Sequence, residues 1–464
     1  RETFLRNQLF VPSLVTISSV AWISASEKNM SIPIAETVYE KLTDEEDVRL
    51  CLDIDESACR ESPQSFFLIL SSYFLTKLGD AIASPKTTLA WLVTAIGAPP
   101  FVLGFLVPIR ESGSMIPQLF IGSAIRQLPI RKWVWVSGSV AQGLCIVGVG
   151  FVALFVEGKT AGWAVLALVI LFSLARGFCS VAAKDVLGKT IPKDKRGQLN
   201  GWSASGAGLL SVVLGLVLMF PAVNTAEARV IGGLLFGAGL LWMIAALVYS
   251  QVPEFSGETA GGRNAREALA KLNILVSDAP FRRFVITRAL LMCSALSAPF
   301  YVALAQSNQG SIIAVLGAFV VAAGLASLIS APIWGRVADR SSKHVMIFAA
   351  LITASIGIAT LLTDRFLPGL SGSAWFLPVA YFVLSVAHSG VRVGRKTYIV
   401  NLGSGNQRTD YVAISNTVIG VLLLIVGSVG ALAPLISTAG VIGLLALMGL
   451  VGAALGTTLP DTNR

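Results

Sequence analysis

Residues 310–343 read GSIIAVLGAFVVAAGLASLISAPIWGRVADRSSK. From Gly310 to Gly335 the stretch holds no charged residue and exceeds the ~20 residues that an α-helix needs to cross the hydrocarbon core of a bilayer. Arg336, Asp339, Arg340 and Lys343 then follow within eight positions. An apolar run that ends this sharply reads as a membrane span passing into an aqueous loop.

The rest of the chain repeats the alternation. Its 464 residues are 54% hydrophobic and 13% charged, against roughly 25% charged in soluble domains, and its mean hydropathy is +0.75. Twelve apolar stretches lie near 65–95, 100–125, 133–156, 161–185, 198–220, 229–250, 284–305, 310–335, 344–363, 373–396, 410–435 and 438–458. The least sharply divided region is Ser65 to Arg126, where the Gly97-Ala98-Pro99-Pro100 break favours two helices. Period-2 alternation is absent and the runs are too long for barrel strands, which take only ~9–11 residues. The expected fold is therefore an all-α membrane protein with twelve transmembrane helices.

Residues 1–63 read as a cytoplasmic extension, with an apolar but Ser-rich Phe10–Ala25, a surface helix near Ala35–Arg49 and an acidic run at Thr43–Asp47. They show no signal-peptide pattern. Residues 252–283 form the longest internal polar stretch, with Gly257, Gly261 and Gly262 as a hinge, and join two six-helix bundles at 64–251 and 284–459. Residues 460–464 are a short tail. An internal repeat supports the division. Gly122 and Arg126 recur as Gly335 and Asp339 at an offset of 213, and Lys184 and Arg196 as Lys396 and Arg408 at 212. Repeated halves with a solute site between them are the usual build of secondary transporters.

Basic residues set the orientation. Arg126, Arg131, Lys132, Lys189, Lys193, Lys195, Arg196, Arg263, Arg266, Lys271, Arg282, Arg283, Arg336, Arg340, Lys343 and Arg408 fall in alternate loops, leaving only Lys159, Arg229 and Arg365 for the opposite side. The positive-inside rule puts both termini in the cytoplasm, and a bacterial inner membrane is the expected location. The net charge of +9 is then topological and implies no nucleic-acid partner. Cys51 and Cys59 fall on the cytoplasmic side, and Cys145, Cys179 and Cys293 in the spans, so disulfides are not expected. No metal-ligand spacing is present and no cofactor is implied.

Twelve helices in two halves, a central loop, and Gly335-Arg336-Val337-Ala338-Asp339-Arg340-Ser341-Ser342-Lys343 after the eighth span resemble the major facilitator superfamily. The resemblance covers Ser65 to about Leu459. The motif has a mechanical reading. Gly335 admits a close helix, Asp339 suits the positive N-terminus of a neighbouring helix, and Arg340 and Lys343 hold the cytoplasmic side. Arg126 departs from the pattern by standing where the second copy has Asp339. Asp410, opposite Gln198 in the repeat, supplies a repair, so Arg126 and Asp410 are expected to form a swapped latch or else to be independently solvated.

The resemblance further implies that the first, fourth, seventh and tenth helices line a central cavity. Buried charges follow that placement: Lys77 and Asp80 in the first span, Arg176 in the fourth, Arg288 in the seventh, His388 and Arg392 in the tenth, with Arg110 and Glu111 in the second. Ionisable groups at bilayer depth mark solute or proton pathways. Lys77, Arg110, Arg176, Arg288 and Arg392 are the expected substrate-binding cations. Asp80, Glu111 and His388 are the expected proton carriers. Each also has a plainer reading. Lys77 and Asp80 are spaced for a local i, i+3 pair, Glu111 for a structural pair with Arg176, and His388 for hydrogen-bonded packing. Snorkelling suffices for Lys184, Asp185, Arg395 and Lys396 near the helix ends. Pro85, Pro108, Pro117 and Pro299, with Gly79, Gly104 and Gly113, mark expected bends.

Cations outnumber acids in this set. The expected function is secondary active transport of a small anionic or zwitterionic organic solute by alternating access, proton-coupled, in a monomer. A lipid flippase or a drug-proton antiporter on the same fold, and a non-transporting sensor, are the competing readings. Phosphate loops, His-Glu-x-x-His helices and paired Cys motifs are missing from the sequence, so an enzyme is not expected.

Overall fold

The computed structural model of the protein describes residues 56–117, 121, 124–125, 127–193, 195–220, 227–257, 259, 271–310, 312–403 and 405–462. Expectations for residues 1–55, for Gly122 and Arg126, and for the side chains of Asp339 and Arg408 lie outside them. The described residues form helices and no strand. The longer helices are α1 Ser62–Ile82, α2 Thr88–Ala95, α3 Pro100–Met115, α4 Lys132–Phe155, α5 Gly158–Thr190, α6 Lys195–Leu218 and α7 Glu227–Ser250, then α8 Ala279–Leu290, α9 Ala298–Gln309, α10 Ile313–Arg340, α11 Ser342–Phe366, α12 Phe376–Leu402, α13 Gly405–Gly427 and α14 Thr438–Thr457. Among the described residues, 11 helical runs are long and apolar enough to cross a membrane. The chain is an integral membrane protein. Helix α3, with 16 residues, is too short to count among them but packs inside the bundle against α5 and α13, consistent with a twelfth leg.

Two legs are broken. The first divides at residues 83–87, where Ser84 ends one helix and its carbonyl accepts from the Leu89 amide at 2.9 Å. Pro85 has no amide hydrogen to continue the ladder, so the chain turns and Lys86 is left beside the break. The seventh leg divides into α8, a single turn at Cys293–Leu296 and α9, which opens with Pro299 in its first turn. Gly97, with φ +67°, makes the left-handed turn that lets α2 reverse into α3.

Three apolar cores show how the halves meet. One draws on both halves, from Leu89–Val93, Val102–Val107 and Val165–Phe172 on one side to Leu296–Ala305, Leu316–Val320 and Leu377–Leu384 on the other. These residues all lie toward the end of the bundle where α2 turns into α3. The other two cores are private: Phe66–Val252 holds one, Phe281–Leu459 the other. The halves are thus welded at one end and parted at the other, and the parted end carries Arg131, Lys189, Arg340 and Lys343.

Within the first half, the parted end is tied by ions. The Glu254 carboxylate is fully buried, accepts from the Arg131 and Lys132 amides at the start of α4 at 2.6–3.0 Å, and takes Lys189 Nζ at 2.9 Å. Arg131 also pairs with Asp185. Asp185 therefore has a structural partner, which corrects its reading as a merely snorkelled group.

Other expectations change as well. Gly79 and Gly104 are points of contact more than bends: a Cβ on Gly79 would stand 2.9 Å from the Trp242 ring, and one on Gly104 2.6 Å from the Gly427 carbonyl oxygen. Gly335 has nothing within 4 Å of a Cβ, so it makes no close helix approach in this conformation, in which the surrounding ends are apart. Cys59 is disulfide-bonded, whereas Cys145, Cys179 and Cys293 are free. The expectation of thiols throughout rested on compartment, which the positions of the cysteines do not encode.

Candidate functional site

Asp80 lies one turn before the break in the first leg, where α1 faces α3 and α5. Arg110 Nη2 donates to its Oδ1 at 2.5 Å, and Arg176 Nη1 donates to Oδ1 and Oδ2 at 2.7 and 2.6 Å. Arg110 is 6% exposed, packs its guanidinium 5.1 Å from the Phe172 ring and donates a further bond to the Ala83 carbonyl at 3.3 Å. One carboxylate thus serves two guanidiniums, and charge-assisted bonds of this kind are the strong ones. The triad leaves a net positive charge on this wall.

Lys77 does not pair with Asp80. Its Nζ crosses to α6 and donates to Ser203 Oγ at 2.6 Å and the Asn200 carbonyl at 2.9 Å. The i, i+3 pair fails because both oxygens of Asp80 are already claimed by two guanidiniums. Glu111 does not take Arg176 for the same reason. Its side chain makes no hydrogen bond among the described residues and lies in electrostatic reach of Arg176, Lys86, Arg110 and Arg395. Arg110 and Glu111 thus find different partners, as neighbours ~100° apart around a helix must.

Across from this wall, α12 presents His388 and Arg392. His388 Nδ1 shares a hydrogen bond of 3.0 Å with Ser294 Oγ, joining α12 to the turn between α8 and α9. A cavity of about 170 Å³ lies here, bounded by Ser84 and Lys86 from the break in the first leg, by Ser294 and Ala298, by Ala323, Ala326 and Ser327 of α10, and by Tyr381 through Arg392 of α12. Arg392 is exposed toward the parted end, and Lys86 is half-buried. Neither forms an ion pair within 4 Å among the described residues. Lys86 is within electrostatic reach of Glu111, Arg392, Arg110 and Arg395, so groups from both halves converge on one space.

Arg288 stands behind that surface. It is 6% exposed, with Nη1 on Ser415 Oγ at 2.5 Å and Nη2 on Asn416 Oδ1 at 2.9 Å, and it ties α8 to α13 outside the cavity. Sequence reasoning left two cations out of the site, of which Lys86 lines the cavity and Arg395 lies beside it with Nη1 on Met292 Sδ at 3.1 Å. Lys86 sits inside the 65–95 stretch directly after Pro85 and carries the same signal as Asp80, a charge at bilayer depth. Arg395 faces inward, toward Glu111 and Arg392, and does not snorkel. Of the expected latch, Lys343 Nζ donates to the Leu459 carbonyl at 2.5 Å within the second half. Arg340 is exposed.

No family model matches the chain and no curated protein matches it. Solved structures do. A nucleoside transporter, NupG, superposes with a TM-score of 0.65 at 13% identity, over 85% of this chain and 99% of its own. A D-xylose-proton symporter gives 0.65 at 12%, over 86% and 98%. A POT family transporter in complex with 5-aminolevulinic acid gives 0.64 at 9%, over 84% and 95%. At such identities the likeness is one of architecture, and it spans nearly the whole of each partner: the chain has the fold of the major facilitator superfamily of membrane transporters.

Proposed function

We propose that the protein is a secondary transporter that carries a small anionic or zwitterionic organic solute between its two halves, residues 64–251 and 284–459, by alternating access in a monomer. The observation that supports this is the pairing of Lys86 with Arg392 across the cavity. Among the described residues neither has a carboxylate partner within 4 Å, whereas the nearby Asp80 is committed to Arg110 and Arg176. Two like charges that face one cavity with no anion between them repel, and an anionic solute offsets that repulsion. The 5-aminolevulinic acid complex of a POT family transporter lends support from a similar fold.

The parted end faces the cytoplasm of a bacterial inner membrane in this reading, with both termini on that side, because the basic loops gather there. Transport is coupled to protons, as in the D-xylose-proton symporter of like fold. Glu111 carries the proton in preference to Asp80. Asp80 is committed to two guanidiniums by direct bonds, whereas Glu111 makes no side-chain hydrogen bond among the described residues and shares Lys86 with the incoming solute. His388 takes the hydrogen-bonded role through Ser294. The latch of Arg126 with Asp410, and of Gly335, Asp339 and Arg340, closes the cytoplasmic end in the opposite state.

Two competing readings fare less well. A flippase needs a lateral opening, yet α6 and α10 meet glycine to glycine at Gly215 and Gly317, and α3 and α13 do so at Gly104 and Gly427. A drug antiporter should present lining aromatics and surplus acids, and among the described residues this cavity is lined by Tyr381 with no Phe or Trp and by no carboxylate.

Thermal shift of the purified protein tests the anion reading. Succinate or another small organic anion is expected to stabilise it, and Lys86→Ala or Arg392→Ala to weaken that effect about tenfold or more in apparent Kd. Stabilisation by organic cations alone overturns the proposal.

A further inference from the structure

The cavity is rich in hydroxyl groups as well as positive. Ser84, Ser294, Ser327, Ser385 and Ser389 line it together with the Tyr381 phenol, and its apolar lining consists of three alanines and Leu384. A serine in an apolar helix ordinarily satisfies itself on the carbonyl four residues back, as Ser72, Ser211 and Ser330 do in this chain. Ser327 and Ser389 make no such bond, and no other bond to protein among the described residues, although Ser389 is only 7% exposed. Their hydroxyls are left to whatever fills the cavity. Ser327 is exposed to the cavity and Ser389 lines its opposite wall, so hydroxyls on the facing helices α10 and α12 can donate to and accept from an occupant with hydroxyls of its own.

Size and shape narrow the occupant further. About 170 Å³ is well under the ~300–1,000 Å³ of sites for drug-sized ligands. An unsubstituted fatty acid would set its methylenes against serines, and a neutral polyol would leave Lys86 and Arg392 without a counter-charge.

We infer that the solute is a small polyhydroxylated organic anion, a carboxylate or phosphate ester held at Lys86 and Arg392 with its hydroxyl groups on Ser327, Ser389 and His388. The inference rests on the anion reading above and adds the hydroxyl requirement to it.

Matched ligands separate the two claims. Gluconate, sorbitol and hexanoate share six carbons and present both groups, hydroxyls alone, and the carboxylate alone. Glycerate, glycerol and propionate do the same at three carbons, so a cavity too small for the longer set is read by the shorter. Binding is followed by thermal shift and by isothermal titration on the full-length protein. In at least one series the hydroxy acid is expected to bind about tenfold tighter than its plain acid, and the polyol not at all at millimolar concentration. The double variant Ser327→Ala/Ser389→Ala should cut that preference about fivefold and leave the plain acid unchanged, whereas Arg392→Ala should weaken both acids. Glycerol 3-phosphate against glycerate tells which anionic group is preferred, and either preference agrees with the inference.

Equal binding of hydroxy acid and plain acid overturns the hydroxyl requirement while the anion reading stands. Binding of sorbitol or glycerol as tight as their acids overturns the anion reading itself. Binding of none of the six overturns both.

Discussion

Asp80 shows how one side chain sets the electrostatics of a wall. It balances Arg110, which is buried, and Arg176, whose side chain is 36% exposed and can borrow solvent. Asp80→Asn leaves the buried guanidinium uncompensated, a loss that typically costs 3–5 kcal/mol. Thermal unfolding in detergent is expected to show a clearly lowered midpoint, and Asp80→Asn/Arg110→Met to recover much of it by removing the stranded charge. A double variant no more stable than the single one would mean that Arg110 stabilises by packing on Phe172 and not by charge. Lys86, in contrast, forms no ion pair within 4 Å among the described residues and only feels Glu111 at longer range. Lys86→Met should leave the unfolding midpoint unchanged or raised while abolishing the anion-induced shift.

Among elements, glycine decides which surfaces stay in contact. Helices α6 and α10 approach at Gly208, Gly215, Gly317 and Gly324, spaced seven residues apart on each helix, where a Cβ on Gly215 would stand 2.7 Å from the Val321 amide nitrogen. Small residues let helix backbones touch in lipid, where no hydrophobic force draws them together. At α3 and α13 the contact is part of the seal at the welded end, with Ser112 Oγ donating to the Gly420 carbonyl at 2.7 Å a few turns along. Gly104→Ala would set a Cβ 2.7 Å from Gly430 Cα, closer than two carbons tolerate. That seal should loosen and the population shift toward the state open at the opposite end. Distance measurements between spin labels on α2 and α9 should report a longer separation in Gly104→Ala, and an unchanged distribution would show that the seal does not rest on this contact.

At the scale of the whole molecule, one shared core and two private ones define a conformation open toward the basic loops. Alternating access requires the shared core to split and the private ends to meet, with the solute's charge bridging the halves in between. Lys396 is exposed on the open side. In a background without the native cysteines, Lys396→Cys is expected to react with a membrane-impermeant maleimide in inside-out vesicles and to resist it in right-side-out ones. Reaction from the outer side alone would reverse the assigned orientation.

The sequence by itself determined the membrane class, the helical build and the charged legs, because each depends on local hydropathy and on the high cost of burying a charge in lipid. The bend at Pro85 was legible on the same grounds, and Lys86 was equally open to view; of the first, fourth, seventh and tenth legs that the resemblance implied, the first, seventh and tenth line the cavity, joined by the eighth in place of the fourth. Tertiary structure alone decided which charge meets which. Asp80 could take Lys77 on its own helix or either arginine on another, and the choice fell to the approach of α3 and α5 that only packing creates. It also moved Arg288 out of the cavity, set Arg395 beside it against Met292, and showed Gly104 and Gly215 to be contact points where the residue type alone reads as flexibility. Partner choice among buried charges is a contest between distant segments, and no local pattern records its outcome.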